Sequence, residues 1–159
     1  MRKELVNVLF VCLGNICRSP AAEAVMNKLI VKNNLIGEIK CDSAGTIGYH
    51  AGEQADLRMR KTAKKRNINI TSISRKFLPE DFERFDYIIA MDKQNYKDIL
   101  SLDKENKYWN KVSLMCEYGS LSIQEVPDPY YGGEEGFENV LDILQNSCEG
   151  LIAIIKNQL

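Results

Sequence analysis

A single histidine, His50, occurs in 159 residues, and no C-x-x-C, zinc-finger or paired-histidine spacing accompanies it. That scarcity argues against a structural or catalytic transition metal. Charge of one sign is missing too: 21 basic residues against 22 acidic ones leave a net charge of -1. No overall field therefore draws the chain to nucleic acid, and partners must be argued from a site. No segment approaches the ~20 apolar residues of a membrane helix. Repeats, low-complexity tracts and interdomain linkers are absent, so the length and a hydrophobic content of 45% predict one domain over residues 1–159 with one sizeable core. Neither G-K-[ST] nor G-x-G-x-x-G occurs in a nucleotide-binding context.

Five cysteines are present, at positions 12, 17, 41, 116 and 148. An odd number, scattered through a chain too long to need stapling, reads as reduced thiols in a cytoplasmic protein. The N-terminus imitates a secretion signal, with MRKE, then LVNVLFVCLG, then SPAAEA. Asn7 interrupts the apolar part and the cleavage-like segment carries Arg18 and Glu23, which argues against export.

The chemistry-bearing stretches follow apolar runs. LVNVLFV (5–11) suits a buried parallel strand, and PAAEAVMNKLIVKN (20–33) sets Ala22, Val25, Met26, Leu29 and Ile30 at helical spacing, with Pro20 near the first turn. IKCDSAGT (39–46) reads as a second strand, DLRMRKTAKKRN (56–67) as an exposed basic helix, and FDYIIAMD (85–92) as a third strand. KQNYKDIL (93–100) reads as a short helix, KVSLM (111–115) as a weaker fourth strand, and Phe137 to Ile155 as a closing amphipathic helix. This alternation predicts an α/β fold: a parallel sheet covered on both faces, with ligand chemistry at the carboxyl ends of the strands. VCLGNICRSP, Ser43-Ala44-Gly45, Met91-Asp92 and VPDPYYGG (126–133) all fall near such ends.

In the first of these, Cys12 and Arg18 form C-x(5)-R between strand and helix. Gly14 and Asn15, between them, tolerate left-handed backbone angles best. Such a loop can turn the N–H groups of Leu13, Gly14, Asn15, Ile16, Cys17 and Arg18 inward as a nest for phosphate or a similar oxyanion. The same dipoles and Arg18 favour negative charge on Cys12, so its thiolate is expected at neutral pH. Arg18 can hold two phosphoryl oxygens with its planar fork, which lysine cannot do. A helix N-terminus disfavours arginine unless an anion is present, which weighs against Arg18 as an ordinary turn cap.

Thiolate attack on phosphorus expels an alkoxide or phenoxide that needs a proton. Asp128 is the candidate acid, held in a loop stiffened by Pro127 and Pro129. It then serves as base toward the water that hydrolyses the cysteinyl-phosphate. Tyr130 and Tyr131 offer aromatic walls.

VCLGNICRSPAAEAV, DSAGTIGY, FDYIIAMD and PDPYYGG, in this order and over nearly the whole chain, resemble the low-molecular-weight protein tyrosine phosphatases. The resemblance implies a four-stranded parallel sheet flanked by helices, with a phosphate-binding loop after the first strand. It also implies cofactor-free, metal-independent hydrolysis of phosphotyrosine in proteins and of small aryl phosphates. Cys12 matches the nucleophile of that family, Arg18 its phosphate-binding arginine and Asp128 its general acid. Asn15, Ser19 and Ser43 match the network supporting the loop, while Tyr49 and His50 fall where substrate-facing residues of a variable loop stand. Phosphate and other oxyanions are expected as inhibitors, and Cys12 with Cys17 as a redox-sensitive pair, Cys17 being equally readable as packing. No membrane or nucleic-acid partner is implied, and the oligomeric state is left open.

One departure stands out. The family often has a histidine in Ser-His-x-Ala-Arg, whereas this segment reads Thr71-Ser72-Ile73-Ser74-Arg75, so Ser72 reaches the network through water or the loop is held less firmly. Other readings remain. An arsenate reductase of the same fold needs a thiol relay, for which Cys41 and Cys116 form no evident pair. A protein arginine phosphatase tends to carry threonine at the position of Ile16. A phosphotyrosine-binding module without turnover has no use for Cys12, Arg18 and Asp128 together. The basic run Arg58, Arg60, Lys61, Lys64, Lys65 and Arg66 reads as a solvated helix face or as a lure for acidic phosphoprotein segments.

Overall fold

Strand β1, Val6–Cys12, is buried from Val8 onward, and its side chains divide by the two-residue period of a strand. Val8 and Phe10 enter one apolar cluster, Leu9 and Val11 the other. Apolar packing on both faces is why the strand reads as a continuous apolar run. In the computed structural model, which describes residues 5–159, it lies inside a four-stranded sheet, and the basic stretch MRKE of the signal-like pattern falls outside the described residues. The other strands are β2 (Ile39–Gly45), β3 (Tyr87–Ala90) and β4 (Val112–Leu114). All pairings are parallel, in the order β2-β1-β3-β4.

Helices α1 (Arg18–Lys32), α2 (Leu57–Lys64), α3 (Asp81–Arg84), α4 (Lys93–Ser101) and α5 (Glu134–Gln158) connect and cover the strands. One cluster joins Val8 and Phe10 to Met26 of α1 and to Leu144 and Leu151 of α5. The other joins Leu9 and Val11 to Phe77, Phe82 of α3 and Ile99 of α4. The chain leaves β1 for β2 on one side and reaches β3 on the other. The carboxyl end of β1 is therefore a topological switch point, where connections diverge and a crevice opens. C-x(5)-R occupies that place.

The strands and four longer helices fall where the apolar periodicity puts them, with shifted ends. Helix α1 starts at Arg18, so Pro20 stands in its first turn, where its missing N–H costs nothing. Helix α5 extends beyond its apolar stripe at both ends because polar residues there stay helical without being buried. The four-residue α3 carries no periodicity. It is held by Asp81, which accepts from Leu78 N–H at 2.8 Å and pairs with Arg75 at 2.9 Å.

Helix α5 passes close to the turn Met115–Tyr118 at Gly150, where an added Cβ would overlap the Tyr118 carbonyl group. Gly150→Ala is expected to destabilise the fold by about 1–3 kcal/mol through this overlap. Urea unfolding measures it, and an unchanged midpoint would mean that helix and turn separate freely.

Candidate active site

The loop after β1 is shaped by Asn15, whose φ of 56° puts it in the left-handed region. Its buried side chain secures that conformation at both ends. Nδ2 donates to Ser19 Oγ at 2.8 Å, and Oδ1 accepts from Arg75 N–H at 3.0 Å. Left-handed backbone costs an ordinary residue roughly 1–2 kcal/mol, least for asparagine or glycine. Gly45 at the end of β2 allows the close approach of the loop, since a Cβ there would sit 2.8 Å from the Leu13 carbonyl oxygen. Among the described residues, no backbone N–H from Leu13 to Cys17 donates to another protein group. These donors lie beside Cys12 at the N-terminus of α1, the arrangement that accepts an oxyanion.

Cys12 Sγ lies 3.0 Å from Ser19 Oγ. With Asn15 donating to that hydroxyl, its own proton has two acceptors, Cys12 and the Ala44 carbonyl at 3.3 Å. Arg18 is only 2% exposed. Its Nη1 donates to Asp92 Oδ2 at 2.7 Å and to the Val126 carbonyl at 3.1 Å. Burial opposes the charge, but Cys12, Asp92 and Asp128 outweigh it and the guanidinium pKa is raised. The Nε–Nη2 edge makes no hydrogen bond among the described residues, with Asp128 Oδ2 standing 3.6 Å from Nη2. One edge of the fork is thus anchored, and the other has only the Asp128 carboxylate beside it.

Asp92 had no assigned role in the sequence beyond its place at a strand end. Here it caps α4, accepting from Asn95 N–H at 2.7 Å with one oxygen while holding Arg18 with the other. Its position after the apolar run of β3 was the available signal. Asp128 is held by its own loop, where Oδ1 accepts from Tyr130 N–H at 3.1 Å. Cys12, Arg18 and Asp128 line one cleft of about 340 Å³, together with Cys17, Tyr49, His50, Tyr130 and Tyr131. Tyr49 packs edge-on against His50 at 4.8 Å and Tyr130 edge-on against Tyr131 at 5.0 Å. Cys17 is buried, and its thiol pKa is raised first by burial and then by Asp56 and Cys12.

The outer support differs from the expected network. Ser43 Oγ donates to Glu23 Oε1 at 2.6 Å rather than to Asn15 or Ser19. Ser72 is half-buried and makes no side-chain hydrogen bond among the described residues. Neighbouring groups hold the loop instead: Ser74 Oγ donates to the Gly14 carbonyl at 3.0 Å, and the Arg75 N–H reaches Asn15. Arg75 is fixed by Asp42 and Asp81. Within the basic run, Arg58, Lys65 and Arg66 are paired with Asp56, Glu134 and Glu138.

A family model described as low molecular weight phosphotyrosine protein phosphatase matches residues 7–159. The human low molecular weight phosphotyrosine protein phosphatase is 38% identical over 92% of this chain and 93% of its own. The crystal structure of a protein tyrosine phosphatase from Entamoeba histolytica, with Hepes in its active site, superposes with a TM-score of 0.92 at 51% identity, covering 97% and 99% of the two chains. A Drosophila arginine phosphatase superposes with a TM-score of 0.85 at 33% identity, covering 92% and 95%.

Glu23, under the loop, has its pKa raised from 4.5 to about 6, chiefly by burial, with the Ser43 hydrogen bond opposing. A raised folded value means that stability is full below about 4.5 and is lost as pH rises through about 6. The ionised carboxylate then costs on the order of 1–2 kcal/mol at neutral pH. Glu23→Gln keeps an acceptor for Ser43 and removes the charge. It should be more stable than wild type by that amount at pH 7.5 and equal to it at pH 4.5, by urea unfolding. The same difference at both values would assign the effect to something other than charge.

Proposed function

Because the chain belongs to the low molecular weight phosphotyrosine protein phosphatase family, we propose that it hydrolyses protein phosphotyrosine and small aryl phosphates in two steps on Cys12. One catalytic domain carries both. The Cys12 thiolate attacks phosphorus as the phosphorus–oxygen bond to the ring breaks, and Asp128 gives its proton to the departing phenolate. Water then attacks the cysteinyl-phosphate, Asp128 takes a proton from it, and phosphate leaves with the thiolate restored. The Nε–Nη2 edge of Arg18, which Asp128 otherwise faces, holds two phosphoryl oxygens, and the loop N–H groups hold the developing charge. An arriving phosphate dianion competes with Asp128 for Arg18.

The observation that carries this reading is the meeting of Arg18 and Asp128, from opposite ends of the chain, in the cleft that holds Cys12. The tyrosines support an aryl substrate: aromatic rings at the mouth of the cleft reward a phenyl phosphate over a short serine phosphate. Hepes, which carries a sulfonate, in the active site of the Entamoeba relative supports affinity for oxyanions, so phosphate and its analogues inhibit. Cys41 and Cys116 belong with β2 and β4, the two edges of the sheet, which speaks against an arsenate relay. Likeness to the Drosophila enzyme keeps phosphoarginine as the second substrate to assay. The five unpaired thiols support a cytoplasmic setting.

Cys12 and Cys17 line the same cleft, which supports a reversible disulfide between them: peroxide takes Cys12 to the sulfenic acid, and the Cys17 thiol displaces water from it. Activity lost to peroxide and not recovered with dithiothreitol would reject that pairing.

Wild type, Cys12→Ser and Asp128→Ala are compared on a phosphotyrosine peptide in EDTA, beside a phosphoarginine peptide and arsenate. Turnover should persist in EDTA, vanish in Cys12→Ser, and fall on the order of 10²–10⁴-fold in kcat/KM in Asp128→Ala. Turnover surviving in Cys12→Ser would overturn the mechanism. Preference for phosphoarginine or arsenate would move the substrate.

A further inference from the structure

The loop that carries Asp128 has little polar attachment of its own. Val126 N–H bonds the Met91 carbonyl before the loop begins, and Pro129 packs against Gly136 of α5. Among the described residues, the main chain of 127–132 receives one hydrogen bond from the rest of the protein, from Arg58 Nη2 to the Tyr130 carbonyl at 3.0 Å. The guanidinium also lies between two rings, 5.3 Å from the centre of Tyr130 and 4.8 Å from that of Phe137. Tyr130 is the residue whose N–H bonds Asp128 Oδ1. What fixes Tyr130 therefore fixes the direction of the acid.

Arg58 is fixed in turn. Its Nε and Nη2 grip the two oxygens of Asp56 at 3.2 and 2.9 Å, as a fork on a carboxylate. Asp56 is the N-cap of α2, and its own N–H donates to the Ile16 carbonyl in the phosphate loop at 2.8 Å. A continuous line of hydrogen bonds thus runs from Ile16 through Asp56 and Arg58 to Tyr130 and Asp128. An isolated surface pair such as Arg58–Asp56 contributes little by itself, but this one has a third partner on the loop that carries Asp128.

We infer that Arg58 is a positioning residue that holds the Asp128 loop in register over the phosphate loop, so that the acid meets the leaving oxygen. The inference rests on the reading of Asp128 as general acid. Without Arg58 the loop keeps its apolar seat at Pro129 but loses the constraint on Tyr130, and Asp128 spends less time aligned. The defect should therefore grow with the basicity of the leaving group, since a good leaving group needs no proton. It should not touch the thiolate.

The test is kcat/KM over a series from 2,4-dinitrophenyl phosphate through p-nitrophenyl phosphate to phenyl phosphate, for wild type, Arg58→Ala, Arg58→Lys, Asp128→Ala and Asp128→Ala/Arg58→Ala. Arg58→Ala should lose about tenfold on phenyl phosphate and less than about twofold on the dinitrophenyl ester, and adding it to Asp128→Ala should change little. Arg58→Lys retains a cation and a donor without the fork, so it should fall between wild type and Arg58→Ala. If Arg58→Ala does not fold, a weaker slope of the same sign in Arg58→Lys carries the test. Alkylation of Cys12 by iodoacetate should proceed at the wild-type rate in both Arg58 variants. An equal loss on every ester, or losses that add to those of Asp128→Ala, would overturn the inference while leaving the acid in place. A flat series for Asp128→Ala itself would remove the acid reading, and the role of Arg58 with it.

Discussion

The buried guanidinium of Arg18 is the group on which the rest of the site depends. It is a cation in the first turn of a helix, where the backbone dipole is also positive, and burial strips it of water. Asp92 and the Val126 carbonyl compensate, and each belongs to a different part of the chain. Satisfying one charge therefore locks together the loop after β1, the turn from β3 into α4, and the start of the segment that carries Asp128. Only Nη1 is consumed in this anchoring, so the same side chain is rigid on one edge and open on the other.

A second constraint is the left-handed turn at Asn15. Its side chain bonds forward to Ser19 and sideways to the Arg75 main chain, which ties the turn to the helix that follows it and to the 74–76 segment. Support beneath it is arranged without histidine. Ser74 and the Arg75 backbone bond the loop directly, Asp42 and Asp81 hold the Arg75 side chain, and Ser43 pairs with Glu23. A main-chain donor carries no titrating charge, so the Arg75–Asn15 bond does not respond to pH. Burial raises the pKa of Glu23 to about 6.

The cleft changes character from floor to rim. Cys12, Asn15, Arg18 and Ser19 are all buried, whereas Tyr49 and Tyr131 are 81% and 93% exposed. The floor of the cleft is thus built of packed side chains and its rim of exposed ones. Asp128 is between these extremes, a half-exposed carboxylate on a loop. Its placement must come from neighbours such as Tyr130 and Arg58 rather than from packing.

Much of this was legible in the sequence by itself. The apolar run of β1, the C-x(5)-R spacing and the proline-flanked Asp128 are local patterns, and the alternation of strands and helices made a parallel sheet the economical reading. Cys12, Asn15, Arg18 and Ser19 lie within one strand–loop–helix unit, so their proximity follows from chain connectivity. Only the tertiary structure decided the rest. It chose Asp92 and the Val126 carbonyl for Arg18, and Ser74 and the Arg75 main chain in place of Ser72. It attached Ser43 to Glu23, and it brought Arg58 to Tyr130. The physical reason is common to all of these. Each joins segments that the strand order β2-β1-β3-β4 and the return of α5 bring together across the carboxyl edge of the sheet, and one partner is often a backbone atom with no mark in the sequence.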